Sequence, residues 1–418
     1  MIKMTLGRSV ALAAAAAAAA GVCACLIHAR QDPRGLVLVT LESRAEDPSQ
    51  PQGGPGRSWI ALAGPGEKPR ILTGAFWSAA SPAVSYDGRR FLFAGRREAT
   101  GPVRIWEMRL DGSGERAVTP ERGEPADPAY LPDGRIIFSD EVPPRPRAQG
   151  IRALFSCAPD GSDVTRLTFG PDGETRPAVL PDGRVRFERP AVPAGPGATP
   201  EVGGGTAARP VALAMHPDGT GAALLHEDGV AGPAPEILSG VRPPAGQMIA
   251  GAVRVAARPV PPVLTSVVNA SRATGTLLCL DVYASQDPAV ASLPRGAIGR
   301  IRVAAARPGP ASDGAGAEQD VLGEAPVLPD GSFFVEVPAD TPLRLTLLHR
   351  DGRPLAALAS GIWVRPNENR GCIGCHEERD RAPENRQPLA VLEPAAGLAP
   401  GPGGPGGPAG AGGDHASR

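Results

Sequence analysis

The sequence predicts a mainly β fold: a partial or degenerate β-propeller, then an antiparallel β-sandwich, then a short C-terminal segment. Three observations predict it. The 418 residues include 54 Gly and 49 Pro but only 4% aromatics, a composition that breaks helices and favours short strands joined by tight turns. An Asp-Gly element recurs at a regular spacing through the first part of the chain. Beyond it, apolar segments with strand alternation are separated by Gly, Asp and Pro.

The repeat occupies residues 36–250. Ser81-Pro-Ala-Val-Ser-Tyr-Asp-Gly-Arg-Arg-Phe-Leu-Phe aligns with Asp127-Pro-Ala-Tyr-Leu-Pro-Asp-Gly-Arg-Ile-Ile-Phe and with Arg176-Pro-Ala-Val-Leu-Pro-Asp-Gly-Arg-Val-Arg-Phe. The prolines at 82, 128 and 177 set a period of 46 and then 49 residues. A second hairpin interleaves with the first at Leu110-Asp-Gly-Ser-Gly, Pro159-Asp-Gly-Ser-Asp and Pro217-Asp-Gly-Thr-Gly. Asp-Gly supplies the positive φ of a tight hairpin, and four short strands in about 45 residues make a propeller blade. The region has room for four to five blades, with Leu36–Ala63 and Val211–Leu238 as the further candidates and Pro190–Ala207 as an insertion or a decayed blade. The hairpins resemble those of TolB-like propellers, which carry the same Pro-Asp-Gly-Arg turn.

Residues 251–366 are predicted to form the sandwich. Its strands are expected in Gly275–Tyr283, Ile298–Val303, Ser332–Val337, Leu343–Leu348 and Ile362–Val364. Strand character is expected to end there. Residues 367–393 are a short segment with a cysteine pair, and 394–418 read as a Gly-Pro-Ala tail that builds no core.

The N-terminus, residues 1–30, has a charged start (Lys3, Arg8), an apolar run from Val10 to Ile27 and a polar turn at Arg30. That layout predicts export, with the run acting either as a cleaved signal peptide or as a membrane anchor. A net charge of −1 argues against nucleic acid as the partner. Of six cysteines, Cys23 and Cys25 fall in the signal, and Cys157 and Cys279 are isolated in strand-like segments where a buried structural thiol is expected.

Cys372 and Cys375 belong to Arg370-Gly-Cys-Ile-Gly-Cys-His-Glu-Glu, which contains C-x-x-C-H, the attachment signal of c-type haem. Two thiols one turn apart add to the two vinyl groups on one edge of the porphyrin, and His376 then lies under the iron as proximal ligand. By composition, a chance match anywhere in the chain has odds of about one in a thousand. A zinc site, a redox dithiol, a plain Cys372–Cys375 disulfide and a decayed motif are the competing readings. For the distal position, His349 is the leading candidate because it lies nearest the motif on a predicted strand. His216, His226, Met215 and Met248 are the other chemically able groups. If none reaches the iron, the open position can take a small molecule such as NO. No calcium loop, phosphate loop or Ser-His-Asp site is present in the sequence.

The order of these parts resembles the hydrazine synthase alpha subunit family: a propeller, a β-rich middle domain and a c-type haem motif. Four stretches carry the likeness: Thr274-Gly-Thr-Leu-Leu-Cys-Leu-Asp-Val-Tyr, Pro329-Asp-Gly-Ser-Phe-Phe-Val-Glu-Val-Pro, Trp363-Val-Arg-Pro-Asn-Glu-Asn-Arg-Gly-Cys-Ile-Gly-Cys-His-Glu and Arg381-Ala-Pro-Glu-Asn-Arg-Gln-Pro-Leu-Ala. The resemblance implies one covalent haem. The family this chain resembles is itself a two-haem catalyst with a tyrosine near the iron, four residues after the motif histidine. This chain has a single C-x-x-C-H, and Asp380 stands at the tyrosine position. Two functions follow. One is an exported haem protein for electron transfer or small nitrogen-compound chemistry, with a redox partner or other subunits bound through the propeller. If it is an enzyme, it is a haem-dependent oxidoreductase, and hydrazine synthesis itself is not expected. The other is a non-enzymatic propeller scaffold with a structural or vestigial haem.

Overall fold

The computed structural model describes residues 35–43, 56–143, 151–190, 210–225, 241–285, 288–306, 320–357, 361–374 and 386–400. Contacts divide the chain into two compact units. The first is Met1–Ile136 with Pro159–Gly161 and Gly229–Pro261, and the second is Ile137–Ala158 with Ser162–Asp228 and Pro262–Arg418.

The first unit contains β1 (Val37–Ser43), β2 (Ser58–Ala63), β3 (Arg70–Ile71), β4 (Ser78–Val84), β5 (Arg90–Arg96), β6 (Arg104–Arg109), β7 (Arg116–Ala117), β8 (Ala126–Tyr130) and β16 (Gln247–Arg254). The strand order is β16-β1-β2-β4-β5-β6-β7, with β3 on the far side of β2. β4 to β7 are a four-stranded blade in chain order. The preceding blade is composite: β16, from the end of the repeat region, pairs antiparallel with β1 from its beginning. Alternation along β1 assigns Leu38 to one apolar cluster with Ile60, Phe76, Phe91 and Phe93, and assigns Val37, Val39 and Leu41 to another with Ala61 and Ala63. Burial on both faces explains why β1 starts as an apolar run, Val37-Leu38-Val39, and stays buried through Thr40 and Leu41.

The second unit opens with β9 (Ile136–Val142), which starts at the boundary, then β10 (Ile151–Cys157) and β11 (Thr165–Arg166), neighbours in that order. A complete four-stranded blade follows from β12 (Thr175–Val179), β13 (Val185–Arg189), β14 (Val211–Met215) and β15 (Ala223–Leu224). Val211 onward therefore completes this blade instead of starting another. The stretch 191–209 lies outside the described residues.

The predicted turns are present. Gly88, Gly134 and Gly183 have φ of 68°, 89° and 88°, and each preceding aspartate accepts a hydrogen bond from the amide two residues on, at 3.1, 3.0 and 3.0 Å. A second recurrence was not predicted. The residue before each repeat proline, Ser81, Asp127 and Arg176, is left-handed with φ of 53°, 50° and 53°. The pairing register slips beside Ser81 and beside Arg176, so the proline, which has no amide to give the ladder, sits in a bulge.

The sandwich packs one sheet of order β20-β17-β23 on another of order β19-β18-β21-β22. Their ranges are β17 Thr274–Cys279, β18 Ile298–Ala305, β19 Asp320–Pro326, β20 Phe333–Pro338, β21 Leu343–His349, β22 Pro354–Ala357 and β23 Asn369–Cys372. Buried residues of both sheets, Leu277, Val335, Ile301 and Leu347 among them, form one core, each worth about 1.5–3 kcal/mol of burial.

Three local expectations are corrected. Ile362–Val364 is not a strand: Ile362 makes a single bridge to Leu343, because its neighbours are held by side-chain bonds and not by a ladder. Strand structure does not end before residue 367, since β23 pairs parallel with β17. The tail does not begin at Pro394. Ala396 and Ala399 bridge to Val335 and Glu324, and Leu398 packs on the core; residues 401–418 lie outside the described residues.

Candidate functional site

Cys372 ends β23, the outer strand of its sheet. Four consecutive pairs, Thr276↔Asn369 to Cys279↔Cys372, set the parallel register. The backbone then continues along the same neighbour: Leu280 N donates to Cys372 O at 3.0 Å and Asp281 N to Ile373 O at 3.0 Å. The approach stays close at Gly374, where an added Cβ would overlap the carbonyl oxygen of Ala284. At Gly371 a Cβ would meet nothing within 4 Å, so Cys372, itself half-exposed, is flanked by open space on one side and close-packed backbone on the other.

The segment leading to Cys372 is seated on the last blade hairpin, Asp218–Ala222, by side chains that bond its backbone. Trp363 Nε1 donates to Gly219 O (3.2 Å) and Arg365 Nε to Asp218 O (3.1 Å). Glu368 accepts from Gly221 N at 2.8 Å and from Arg365 N at 2.7 Å. Arg370 donates to Ala222 O at 2.5 Å and to Trp363 O at 2.7 Å. All four side chains are buried, and buried charge is tolerated because each is hydrogen-bonded. Arg365 also pairs with Asp340 at 2.7 Å; burial pushes the Asp340 carboxyl up, with Arg365 opposing. Beneath Trp363, Arg189 pairs with the fully buried Glu174 at 3.3 Å and donates to Gly361 O at 3.4 Å.

After the motif the chain returns to where it left. Arg386 reaches Asp281 at 3.2 Å and Asp330 at 3.1 Å, and Asp330 also accepts from Leu389 N at 2.8 Å. Burial raises the Asp330 carboxyl, but the Leu389 and Ser332 hydrogen bonds and the Arg386 charge outweigh it and hold the group below its ordinary value. Asp281 thus touches both ends of the span 375–385, through Ile373 on one side and Arg386 on the other.

Cys375, His376, Asp380 and His226 lie outside the described residues. His349 ends β21 on the four-stranded sheet, while Cys372 is on the three-stranded one. Its Nδ1 is 2.9 Å from the Asp351 carboxylate and 3.3 Å from the Asp351 amide. One ring nitrogen cannot donate to the first and accept from the second, and the shorter, carboxylate contact sets the tautomer. His216, exposed, belongs to the hairpin that seats Arg365 and Arg370, with Nδ1 3.2 Å from Thr220 Oγ1. Met215 is buried in β14, and Met248 is exposed in β16 of the first unit. Cys279, read from sequence as an isolated thiol, is the register partner of Cys372. Among the described residues no three His, Cys, Asp or Glu side chains cluster to hold a metal, and no helix is long and apolar enough to cross a membrane.

The fold and the seated segment define a class: a propeller-type repeat region followed by a β-sandwich whose outer strand ends at Cys372, the first residue of the C-x-x-C-H motif. Residues 298–377 match the family model described as hydrazine synthase alpha subunit middle domain. Hydrazine synthase subunit alpha of Kuenenia stuttgartiensis is 36% identical over 122 residues, which cover 26% of this chain and 15% of that one. The solved Kuenenia stuttgartiensis hydrazine synthase superposes with a TM-score of 0.72 at 17% identity, covering 87% of this chain and 72% of that one. A TolB structure from Agrobacterium tumefaciens gives 0.34 at 25% identity, covering 46% of this chain and 61% of that one. Residues 298–377 are thus similar in sequence to the middle domain of the hydrazine synthase alpha subunit, the whole chain shares the fold of the solved enzyme, and the aligned stretch spans about a seventh of the curated relative's length.

Proposed function

We propose that this chain is an exported protein with one c-type haem, held through Cys372 and Cys375 with His376 on the iron, serving electron transfer or small nitrogen-compound chemistry. The observation that carries the reading is the seat of Cys372. A half-exposed thiol on the outer strand of a sheet is fixed by backbone bonds to residues 280–281, while both ends of the span 375–385 are tied to Asp281. When bound, haem iron supplies one-electron chemistry and, where a coordination position is open, a place for a small ligand. His349 would be a further residue to hold the group, since its Nδ1, held by Asp351, leaves Nε2 to ligate. Residues 1–30 supply the export signal or anchor, and relation to a subunit of hydrazine synthase supports membership of a multi-subunit assembly, with the propeller as the docking region.

A haem-stained denaturing gel of the full chain, produced in a host that matures c-type cytochromes, tests the proposal. The wild type stains, and Cys372→Ala and Cys375→Ala lose the stain. An unstained wild type beside a stained control cytochrome overturns it. Carbon monoxide added to the reduced protein then separates an open iron, whose Soret band shifts, from a six-coordinate carrier, whose band does not.

A further inference from the structure

Cys279 and Cys372 are 93 residues apart in sequence (372 − 279) and side by side in the sandwich. Their register is unbroken from the first rung, where the partners' side chains share a face and touch: Thr276 Oγ1 bonds Asn369 Oδ1 at 2.5 Å. Two residues before the cysteines, Leu277 and Arg370 pair and are both buried, and the cysteines share that face because strand side chains alternate. Neighbouring strands lie about 4.8 Å apart, inside the roughly 4.4–6.8 Å Cα separation that a disulfide needs. Cys279 is 1% exposed whereas Cys372 is half-exposed, so an oxidant meets Cys372 first and Cys279 is placed to resolve the intermediate.

We propose that Cys279 and Cys372 form a disulfide in the chain before any group is attached at Cys372. The oxidant is a disulfide, either a small molecule or a thiol-oxidising protein. The Cys372 thiolate attacks one of its sulfurs, forming a mixed disulfide and expelling one thiolate. Cys279 then attacks the Cys372 sulfur, closing the cross-strand bond and expelling the second thiolate. Two protein thiols are oxidised, one external disulfide is reduced to two thiols, and the two protons pass to the leaving thiolates. The bond ties β23 to β17. Its consequence for cofactor loading, that Cys372 must be reduced before it can form a thioether, rests on the haem reading above. The bond itself does not.

The test uses the full chain from a host without c-type maturation. The protein is treated with glutathione disulfide, alkylated, denatured, digested with trypsin and mapped without reduction. The expected product joins peptide 273–295 to peptide 371–379 in the wild type and in Cys375→Ala, and is absent in Cys279→Ala. An alkylated Cys372 in Cys375→Ala, or a bond from Cys372 to Cys157 there, overturns the proposal. A failed haem stain leaves this map unchanged, and a failed map leaves the stain unchanged.

Discussion

Glu174 and Arg189 are two charges withdrawn from water beneath Trp363, and each depends on the other. Burial pushes the Glu174 carboxyl up, and Arg189 with Thr168 opposes that. Breaking a buried pair by removing one partner strands the other charge, so Glu174→Ala is expected to cost about 3–5 kcal/mol in urea unfolding. Gly374→Ala drives a methyl into the Ala284 carbonyl and is expected to cost about 1–3 kcal/mol. It should also lower the haem stain, whereas Gly371→Ala, facing open space, leaves the stain intact. Much at this level was readable from the sequence. The Asp-Gly turns announce their own φ and amide cap, since both are local. The Cys279–Cys372 pairing was not readable, because parallel register across 93 residues leaves no periodic trace in either segment.

β23 illustrates how an element without a hydrophobic pattern is fixed. It carries Asn, Arg, Gly and Cys, none of which reads as strand, and it is recruited by the backbone of β17. The return of the chain depends on Arg386 and Asp330. Asp330→Asn is expected to speed hydrogen exchange at the Leu389 amide several-fold, at a stability cost of about 1.5–3 kcal/mol. The pH dependence has a definite sign. The folded Asp330 carboxyl lies below its ordinary 3.8, so its stabilisation is complete above that value and is lost as pH falls through the folded one. Protection of the wild-type Leu389 amide should therefore hold at neutral pH and fade only below about pH 4, while Asp330→Asn shows no such fade. The propeller strands were readable as elements because hairpin and period repeat together. The seat on Asp218–Ala222 was not, because there the side chains bond carbonyls and amides, which every sequence possesses.

The composite blade belongs to the chain as a whole. β1 finds its outer partner only in β16, and the pairing Val37↔Arg254 spans 217 residues (254 − 37). Deleting Gln247–Arg254 removes that ladder, at about 1 kcal/mol per hydrogen bond. The expected loss is on the order of 5 kcal/mol, read from the urea midpoint. The repeat period places the intact blades but is silent on this one, because its strands are split between the two ends of the region. A consequence concerns time. At about 5–20 residues per second, synthesis from Val37 to Arg254 takes on the order of ten to forty seconds. Throughout it β1 has one bare edge, a template for any other extended chain. β1 is made well before the partner that completes its sheet, and a chaperone able to shield Val37–Ser43 has that interval in which to act.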